Sequence, residues 1–350
     1  MPQIPSCNLA YPRKILMGVL FCLIASGIFC QPVFAWTDAG HKIIASLAYR
    51  QLSPAQRSKL VEILRSHPRY AEDFAAQIPV ELADAPDEEL AEWHLQQAAI
   101  WPDIARDLPE QIRPRFNKPF WHWVNHPLFL TSADRQKLEP TLQINLQTAP
   151  PSVDAAAATL DQMNIIQALA WSRRTLADNN APAADRATAI TWLFHLTGDS
   201  HQPLHSTAIF TPRLFPAGDR GGNLISTGQR TNLHFVWDAL KGERLTLREA
   251  RNKALGMIST PAQQAVGLVA AAQLDHEIWL KESHILAKTA VYDSVVLGHI
   301  RAFEANPAAE KLEPLVLPTE YLQTAGQIAE LRLIQAGYRL GAVVAECLGE

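Results

Sequence analysis

The chain has 350 residues, of which 48% are hydrophobic and 19% are charged, a composition that excludes a disordered protein and provides for a sizeable core. Its formal net charge of −4 argues against a broad basic surface for duplex DNA. Alanine and leucine recur throughout and glycine is scarce, so we predict an all-α fold.

The N-terminal segment, residues 1–35, differs from the rest of the chain. An Arg-Lys pair precedes the apolar run ILMGVLFCLIASGIF, and VFA supplies the small-x-small pattern of a signal-peptidase site. We predict a secretory signal peptide that is removed after Ala35, which makes Trp36 the first residue of a periplasmic or secreted domain, 36–350. A membrane anchor is the alternative, but the run is short and polar residues follow it, so we expect no stable membrane insertion after cleavage.

Cleavage changes the chemistry available to the mature chain. It removes three of the four cysteines and leaves Cys347, so no internal disulfide can form. It also removes one arginine and one lysine without any acid, which takes the net charge from −4 to −6. If the substrate is a phosphate ester, bound metal must therefore neutralise much of its charge.

Helical periodicity dominates the mature chain and predicts a single, mostly helical domain. In chain order the predicted helices are DAGHKIIASLAYRQL, a helix starting at Ser53-Pro54, VDAAAATLDQMNIIQALAWSRRTL, DRATAITWLFHLTGDSH, TPAQQAVGLVAAAQLDHEIWLKESHILAKTAVY and TEYLQTAGQIAELRLIQAGYRLGAVVAECL. The fourth is apolar on nearly every side up to Pro203, which predicts a buried central helix ending near that proline. Residues 224–228 are a candidate short strand or arm of a β-hairpin.

Histidine and aspartate recur at ligand spacing. His195 and Asp199 are four residues apart on the predicted central helix, so both side chains leave one face. His234 and Asp238 repeat the spacing on a later helix, and His205 returns from the loop after the central helix. These are too many ligands for one tetrahedral zinc.

Further candidate ligands lie upstream. They are Asp103 in IWPDIARD, His122 in FWHWVNHP and His41 in WTDAGH, together with the amine and carbonyl of Trp36 if cleavage leaves this residue first. None of these groups is a thiolate, which favours zinc in an open catalytic site over a structural cysteine site. A single His–Asp pair is often structural, but the joint pattern favours a metal site.

Six motifs occur in the order and with the local spacing of the zinc-dependent S1/P1 nucleases, which this chain resembles. They are WTDAGH, WPDIAR, HWVNH, HLTGDSHQPLH, GGN and NLHFVWD, with weaker agreement at AGYRL near the C-terminus. The resemblance spans most of the chain from Trp36 onward. It implies an all-α fold of the phospholipase C/P1 nuclease type with three zinc ions at the bottom of a cleft.

The resemblance also implies a ligand set. One zinc would take Asp103, His122, His195 and Asp199, a second would take His205, His234 and Asp238, and the third would take the amine and carbonyl of Trp36 with His41 and a shared Asp199. It implies that water activated by the close metal pair attacks phosphorus while the remaining zinc stabilises the departing 3′ oxygen. The implied substrates are single-stranded DNA, RNA and 3′-nucleotides, with 5′-phosphate products from a monomeric enzyme.

Three residues are candidates for contacts with substrate. Trp123 is the candidate wall on which an unstacked base lies. Arg106, one helical turn after Asp103, is a candidate ligand for a phosphate oxygen, the alternative being a solvated surface arginine. Asn125 stands where fungal members carry an aspartate, so any polar help given to the attacking water differs here.

Other histidines are not expected to bind metal, because each lacks a partner at ligand spacing: His67, His94, His126, His276, His284 and His299. His201 lies two residues after Asp199, so it should point away from the ligand face and could orient a ligand. Two other functions remain open. A zinc-dependent phospholipase C is disfavoured because its final ligand is typically glutamate rather than Asp238, and a non-catalytic zinc protein would require coordinatively saturated metals.

Overall fold

The computed structural model describes residues 36–152 and 155–349, and the predicted signal peptide and its cleavage site lie outside this range. The described residues form fifteen α-helices: α1 Asp38–Gln51, α2 Pro54–Leu64, α3 Tyr70–Asp73, α4 Asp87–Ile104, α5 Arg113–Phe116, α6 Ser132–Leu138, α7 Ala157–Asp161, α8 Ile165–Ala177, α9 Ala183–Asp199, α10 Leu233–Asp238, α11 Leu247–Met257, α12 Pro261–Ala271, α13 His276–Leu286, α14 Ser294–Ala305 and α15 Thr319–Leu348. This confirms the all-α prediction. Within the described part of the chain, no helix is both long and apolar enough to cross a membrane.

Helix α9 is the buried central helix, as its all-round apolar sequence predicts. Every residue from Ala189 to Asp199 is buried, and α1, α4, α8 and α15 pack against it. The helix ends at Asp199, and the 3₁₀ turn Pro203–His205 follows. Pro203 cannot supply the amide that a continuing helix needs, so the chain turns between Asp199 and His205.

Two of the predicted helices are each divided in the structure by a polar cap. The side chain of Asn164 accepts hydrogen bonds from the amides of Ile166 and Gln167, which separates α7 from α8. Asp275 similarly accepts from the amide of Glu277 and starts α13 after α12 has ended. Such local side-chain bonds favour a helix start over continuation of the preceding helix.

The prediction of a β-hairpin is wrong. The two described strands, β1 His126–Phe129 and β2 Thr207–Phe210, pair in parallel, with His126 opposite Thr207. Parallel strands need a long crossover and cannot form a hairpin. In the candidate segment 224–228, Thr227 makes an isolated parallel bridge to Leu315. The β1–β2 ladder instead holds the chain after His122 beside the chain after His205.

Candidate metal centre

Eight histidine and aspartate side chains come together around the C-terminal end of α9. They are His41 of α1, Asp103 of α4, His122 of the 3₁₀ turn Pro119–His122, His195 and Asp199 of α9, His205 of the next 3₁₀ turn, and His234 and Asp238 of α10. Three groups among them each have donor atoms within 4.8 Å of one another. These are the residues that the sequence pattern singles out as ligands.

The first group consists of His41, His195 and Asp199. The two imidazole Nε2 atoms lie 3.3 Å from different oxygens of Asp199, His41 from Oδ1 and His195 from Oδ2. All three side chains are fully buried. A single carboxylate thus faces two imidazoles, an arrangement that suits a cation held between them.

The second group consists of Asp103, His122 and His195. Nε2 of His195 lies 3.0 Å from Nδ1 of His122 and 3.7 Å from Oδ1 of Asp103. By distance His195 belongs to both the first and the second group, whereas the resemblance implies that Asp199 is the shared residue. Asp199 is also close to the second group, because its Oδ2 lies 3.0 Å from His122 Nδ1. The Asp103 side chain is 14% exposed, so this group lies nearest to solvent.

The third group consists of His205, His234 and Asp238. The Nε2 atoms of His205 and His234 are 3.1 Å apart, and His234 Nε2 is 3.5 Å from Asp238 Oδ2. His205 Nδ1 lies 3.8 Å from Asp199 Oδ2, so the third group adjoins the other two. Gln202 Nε2 donates to the other oxygen of Asp238 at 2.7 Å.

Backbone carbonyls fix the orientation of three imidazoles. Nδ1 of His195 donates to Ala99 O at 2.8 Å, Nδ1 of His205 to His122 O at 2.6 Å, and Nδ1 of His234 to Gly221 O at 2.6 Å. In the neutral rings the proton then resides on Nδ1, which leaves the Nε2 lone pair to bind a metal.

The GGN motif acts through this same contact. Gly221 has a φ of 61°, and a Cβ at this position would lie 2.5 Å from Leu204 O. Only glycine adopts this left-handed conformation readily and fits against the carbonyl. The motif is therefore a tight turn that presents a carbonyl to His234.

Several buried polar atoms of the centre are arranged as they would be around a cation. The buried atoms of the centre that make no hydrogen bond of good geometry within the described part of the chain include Nδ1 of His41, Oδ1 of Asp199 and Oδ2 of Asp238. Unpaired buried acceptors are costly, and a divalent cation would satisfy them, so the residues fit metal ions.

The two buried carboxylates differ in their electrostatic surroundings. Burial disfavours charge on Asp199, but the neighbouring imidazoles of His195 and His205 hold the pKa of its carboxyl well below the ordinary value. Burial raises the pKa of Asp238 well above its ordinary value, despite the hydrogen bond from Gln202. A nearby cation favours the charged form of a carboxylate. A metal ion in the third group would therefore keep Asp238 ionised.

Arg106 is not a solvated surface residue. Its side chain is 12% exposed, and Nη2 lies 2.7 Å from Asp103 Oδ1 and 3.2 Å from His122 Nδ1. The guanidinium thus neutralises the more exposed edge of the second group. Its position at this edge is compatible with contact to an anionic substrate.

The other candidate substrate residues lie beside His122. Trp123 and Asn125 are both partly buried. The Trp123 ring contacts Phe120 edge-on with centroids 5.8 Å apart, and Phe120 is 40% exposed. Sequence reasoning missed Phe120, although the FWHW sequence already placed another aromatic near the ligand. The two rings form an accessible aromatic pair next to the centre.

His201 points away from the ligand face, as its spacing predicts. Its Nδ1 donates to Thr197 O at 2.7 Å, and its Nε2 accepts from Arg339 Nη1 at 2.9 Å. It therefore contacts a residue of α15 and not a candidate ligand side chain. The six histidines set aside on sequence grounds belong to none of the three groups found in the described part of the chain.

Trp36 adjoins the centre at the start of the described chain. Its side chain is fully buried, and Nε1 donates to Gly198 O at 3.1 Å, one residue before Asp199. The next residue, Thr37, donates its amide to Asp238 O at 3.3 Å. Residue 36 is thus held between the segments that carry Asp199 and Asp238.

Fold and site together define an all-α protein of the phospholipase C/P1 nuclease type with three clustered His/Asp groups that could hold metal ions. Residues 36–349 match the family model of the S1/P1 nucleases, and the chain belongs to this family.

Several known proteins are similar to part of the chain. Nuclease P1 of Penicillium citrinum is 25% identical over 193 residues, which is 53% of this chain and 66% of the relative. Endonuclease 4 of Arabidopsis thaliana is 31% identical over 159 residues, 45% of this chain and 49% of the relative. Endonuclease 3 of the same plant is 25% identical over 221 residues, 61% and 55%. The chain thus spans about half to two thirds of the length of these relatives.

Proposed function

We propose that the protein is an extracytoplasmic zinc-dependent nuclease that hydrolyses single-stranded DNA, RNA and 3′-nucleotides to products with 5′-phosphates. The observation that carries this proposal is the convergence of three His/Asp groups on Asp199. Three adjoining groups of this kind can hold several cations close to one phosphate, which is an arrangement that catalyses phosphodiester hydrolysis.

The proposed ligands follow the family pattern. Asp103, His122, His195 and Asp199 hold one zinc, His205, His234 and Asp238 hold a second, and His41, Asp199 and the amine and carbonyl of Trp36 hold the third. The anchoring of Trp36 beside Gly198 supports the last assignment, because a new N-terminus at this residue would lie near His41. Zinc is favoured over calcium or magnesium because five of the eight side-chain ligands are imidazoles.

The residues of the centre have separable roles in this proposal. Zinc bound at such a site lowers the pKa of a coordinated water and neutralises charge on the phosphate. Asp199 and Asp103 orient the reacting groups. Arg106, which lies beside Asp103 and His122 at the more exposed edge of the second group, would contact a non-bridging phosphate oxygen. Burial of the remaining ligands limits competing water.

The aromatic pair supports a preference for single strands. Trp123 and Phe120 offer a partly exposed face beside His122, and a base can stack there only after it has left a duplex. The net charge of −6 expected after signal cleavage is also consistent with local rather than extended contact to the nucleic acid.

The test is to express the chain with its native signal and identify the first residue of the exported protein. Zinc is then counted by elemental analysis, and cleavage of single-stranded DNA, RNA and 3′-AMP is measured with and without a chelator. We expect Trp36 as the first residue, three zinc ions, and activity that chelation abolishes and zinc restores. A His299→Gln variant, altered at a histidine outside the three groups, is the matched control and should behave as the wild type.

The same preparation tests the alternative functions. Turnover of phosphatidylcholine without cleavage of single-stranded DNA would indicate a phospholipase C, which the family match does not favour. Bound zinc without turnover of any of these substrates would indicate a non-catalytic metal protein. Activity that survives complete removal of metal would refute the proposed chemistry.

A further inference from the structure

A largely buried cluster of polar side chains packs against the two residues that follow α9, Ser200 and His201. It consists of Glu282 and Ser283 of α13 and Arg332 and Arg339 of α15, and we call it the rear cluster. Arg339 is the arginine of the AGYRL motif, to which the proposed function gives no role. The rear cluster contains no candidate metal ligand and no residue proposed to touch substrate.

The rear cluster binds the first two residues after Asp199. Ser283 Oγ donates to Ser200 O at 2.6 Å, and Arg332 Nε donates to His201 O at 3.2 Å. Arg339 Nη1 donates to the His201 ring at 2.9 Å. The carbonyls at the end of a helix have no partner within the helix, and cationic donors at this end are favoured by the helix dipole.

The members of the cluster also hold one another in place. Glu282 accepts from Arg332 Nη1 at 2.7 Å and from both terminal nitrogens of Arg339, at 2.7 and 2.8 Å. Arg332 Nη2 donates to Ser283 Oγ at 2.8 Å and to Trp279 O at 3.1 Å. The geometry of each donor is thus set by at least one other member.

Stability alone does not account for this cluster. Arg332 and Arg339 are each only 2% exposed, and burial lowers the pKa of Arg332 to about 10, which still leaves it charged at neutral pH. Buried charges carry a large desolvation cost, and well-packed apolar residues in their place are often at least as stable. What apolar residues could not provide is a set of directed bonds to the carbonyls of Ser200 and His201.

Those two carbonyls lie within the segment that connects the metal groups. Asp199 faces the first and second groups, His205 belongs to the third, and only residues 200–204 separate them in the chain. The conformation of this turn therefore sets the distance between Asp199 and His205. The 3.8 Å contact between His205 Nδ1 and Asp199 Oδ2 depends on it.

We propose that the rear cluster is a positioning device that fixes the turn 200–204 and thereby the separation of the third metal group from the other two. The proposal rests on the proposed function only in that the three groups bind metal. Ser283, Arg332 and Arg339 are positioning residues: they act through the backbone of Ser200 and through His201.

The first experiment uses Ser283→Ala, which removes the bond to Ser200 O and little volume. Its control is Ser172→Ala, since Ser172 is equally buried but bonds to Ala168 O within its own helix. The apparent Kd for Zn²⁺ is measured by competition with a chromophoric chelator. We expect Ser283→Ala to weaken the binding of at least one ion about 10-fold, the lower end of the effect of removing groups that orient ligands, and Ser172→Ala to bind as the wild type.

The second experiment uses Arg332→Met, with Arg173→Met as its control. Arg173 also donates to a backbone carbonyl, Leu274 O, and to a carboxylate, Glu346, but it contacts no residue of the turn. Both proteins are loaded with Co²⁺, whose visible spectrum reports the geometry of its ligands. We expect Arg332→Met to change that spectrum and to lower kcat more than it changes KM, with partial recovery in Arg332→Lys, whereas Arg173→Met leaves spectrum and kcat unchanged.

The outcomes separate this inference from the proposed function. If Ser283→Ala and Arg332→Met lower the Tm but keep wild-type Zn²⁺ affinity and Co²⁺ spectrum, the cluster has a structural role only and the inference is wrong. A different result is that the wild type binds three metal ions, the variants bind them more weakly, and no nucleic acid is cleaved. In that case the proposed function fails while the positioning role stands. A variant that does not fold leaves the test to Ser283→Ala, the smallest of these changes.

Discussion

The imidazole rings of His41 and His195 stack with their centroids 4.1 Å apart and their planes 14° from parallel. The stack directs the two Nε2 atoms to different oxygens of Asp199, each at 3.3 Å. Because His122 and His205 also approach this carboxylate, Asp199 lies within 4 Å of a histidine from each of the three groups. A change to either of its oxygens should therefore disturb more than one group of candidate ligands.

Replacement of Asp199 by asparagine should remove more than one metal ion. The amide supplies one weak oxygen ligand where the carboxylate supplies two strong ones, and it has no negative charge. We expect the zinc content to fall by two ions and kcat/KM to fall by about 10²- to 10³-fold or more, comparable to the loss of a principal electrostatic contact. Asp185→Asn, at the exposed start of the same helix, should retain the full zinc content. Loss of a single ion from Asp199→Asn would show that the carboxylate does not bridge.

Gly198→Ala should displace the stacked histidine. A Cβ at this position would lie 2.8 Å from His41 Nδ1 and 2.9 Å from Cε1, too close for the ring to stay in place. We expect metal affinity at the first group to fall about 10-fold or more. Gly326→Ala is the matched control, because nothing lies within 4 Å of the added atom and helical alanine is stabilising by roughly 0.5–1 kcal/mol. Chelator competition and thermal unfolding measure the two effects separately.

A chain that begins with methionine directly before Trp36 should bind one ion fewer. The amine then belongs to the added residue and lies one residue further from His41 along the chain than the amine of Trp36, so it cannot serve as the proposed ligand. We expect the zinc count to fall from three to two, with little activity left. The control is the same chain with the methionine removed enzymatically and Trp36 confirmed by mass spectrometry. Full activity of the extended chain would refute the role of the amine.

The buried carboxyl of Asp219 should make stability depend on pH. It accepts from the amides of Ile209 and Gly222 and from Tyr292 OH, yet burial raises its pKa to about 6. The folded state therefore binds more protons than the unfolded state between pH 4 and 6, and stability falls as pH rises through this window, by roughly 3 kcal/mol. Urea unfolding at several pH values should show that Asp219→Asn lacks this contribution, whereas Asp185→Asn keeps it.

Trp123→Ala should weaken the binding of single strands. Loss of one stacked base costs about 1–3 kcal/mol, so we expect KM for single-stranded DNA to rise by roughly 5- to 150-fold with a smaller change in kcat. Trp123→Phe should retain most of the affinity, because it keeps an aromatic face beside Phe120. An unchanged KM in Trp123→Ala would place the base elsewhere. Steady-state kinetics on a short oligonucleotide provide the measurement.

Local sequence patterns predicted much of the site. The pairs His195–Asp199 and His234–Asp238 were predictable because helix geometry alone places residues four apart on one face. The helix interruptions at Asn164 and Asp275 were missed, since apolar periodicity continues across both caps.

Contacts between distant parts of the chain were not predictable from spacing. The carbonyls that orient His195 and His205 belong to Ala99 and His122, and neither residue type nor spacing distinguishes a backbone carbonyl in the sequence. The parallel pairing of β1 with β2 and the bond from Arg339 to His201 likewise join segments far apart in the chain. Such pairings are decided by packing of the whole fold.

The burial of Trp36 against Gly198 bears on when the proposed nuclease would become active. If its amine is a ligand and the predicted signal peptide is removed after Ala35, the unprocessed chain would lack that ligand, because the same nitrogen is an amide before cleavage. Synthesis on the ribosome would then yield an inert precursor, and competence to degrade nucleic acid would arise only after export. Cleavage of the peptide bond before Trp36 would then be the activating step, and it would occur across the membrane from the genome and the transcripts.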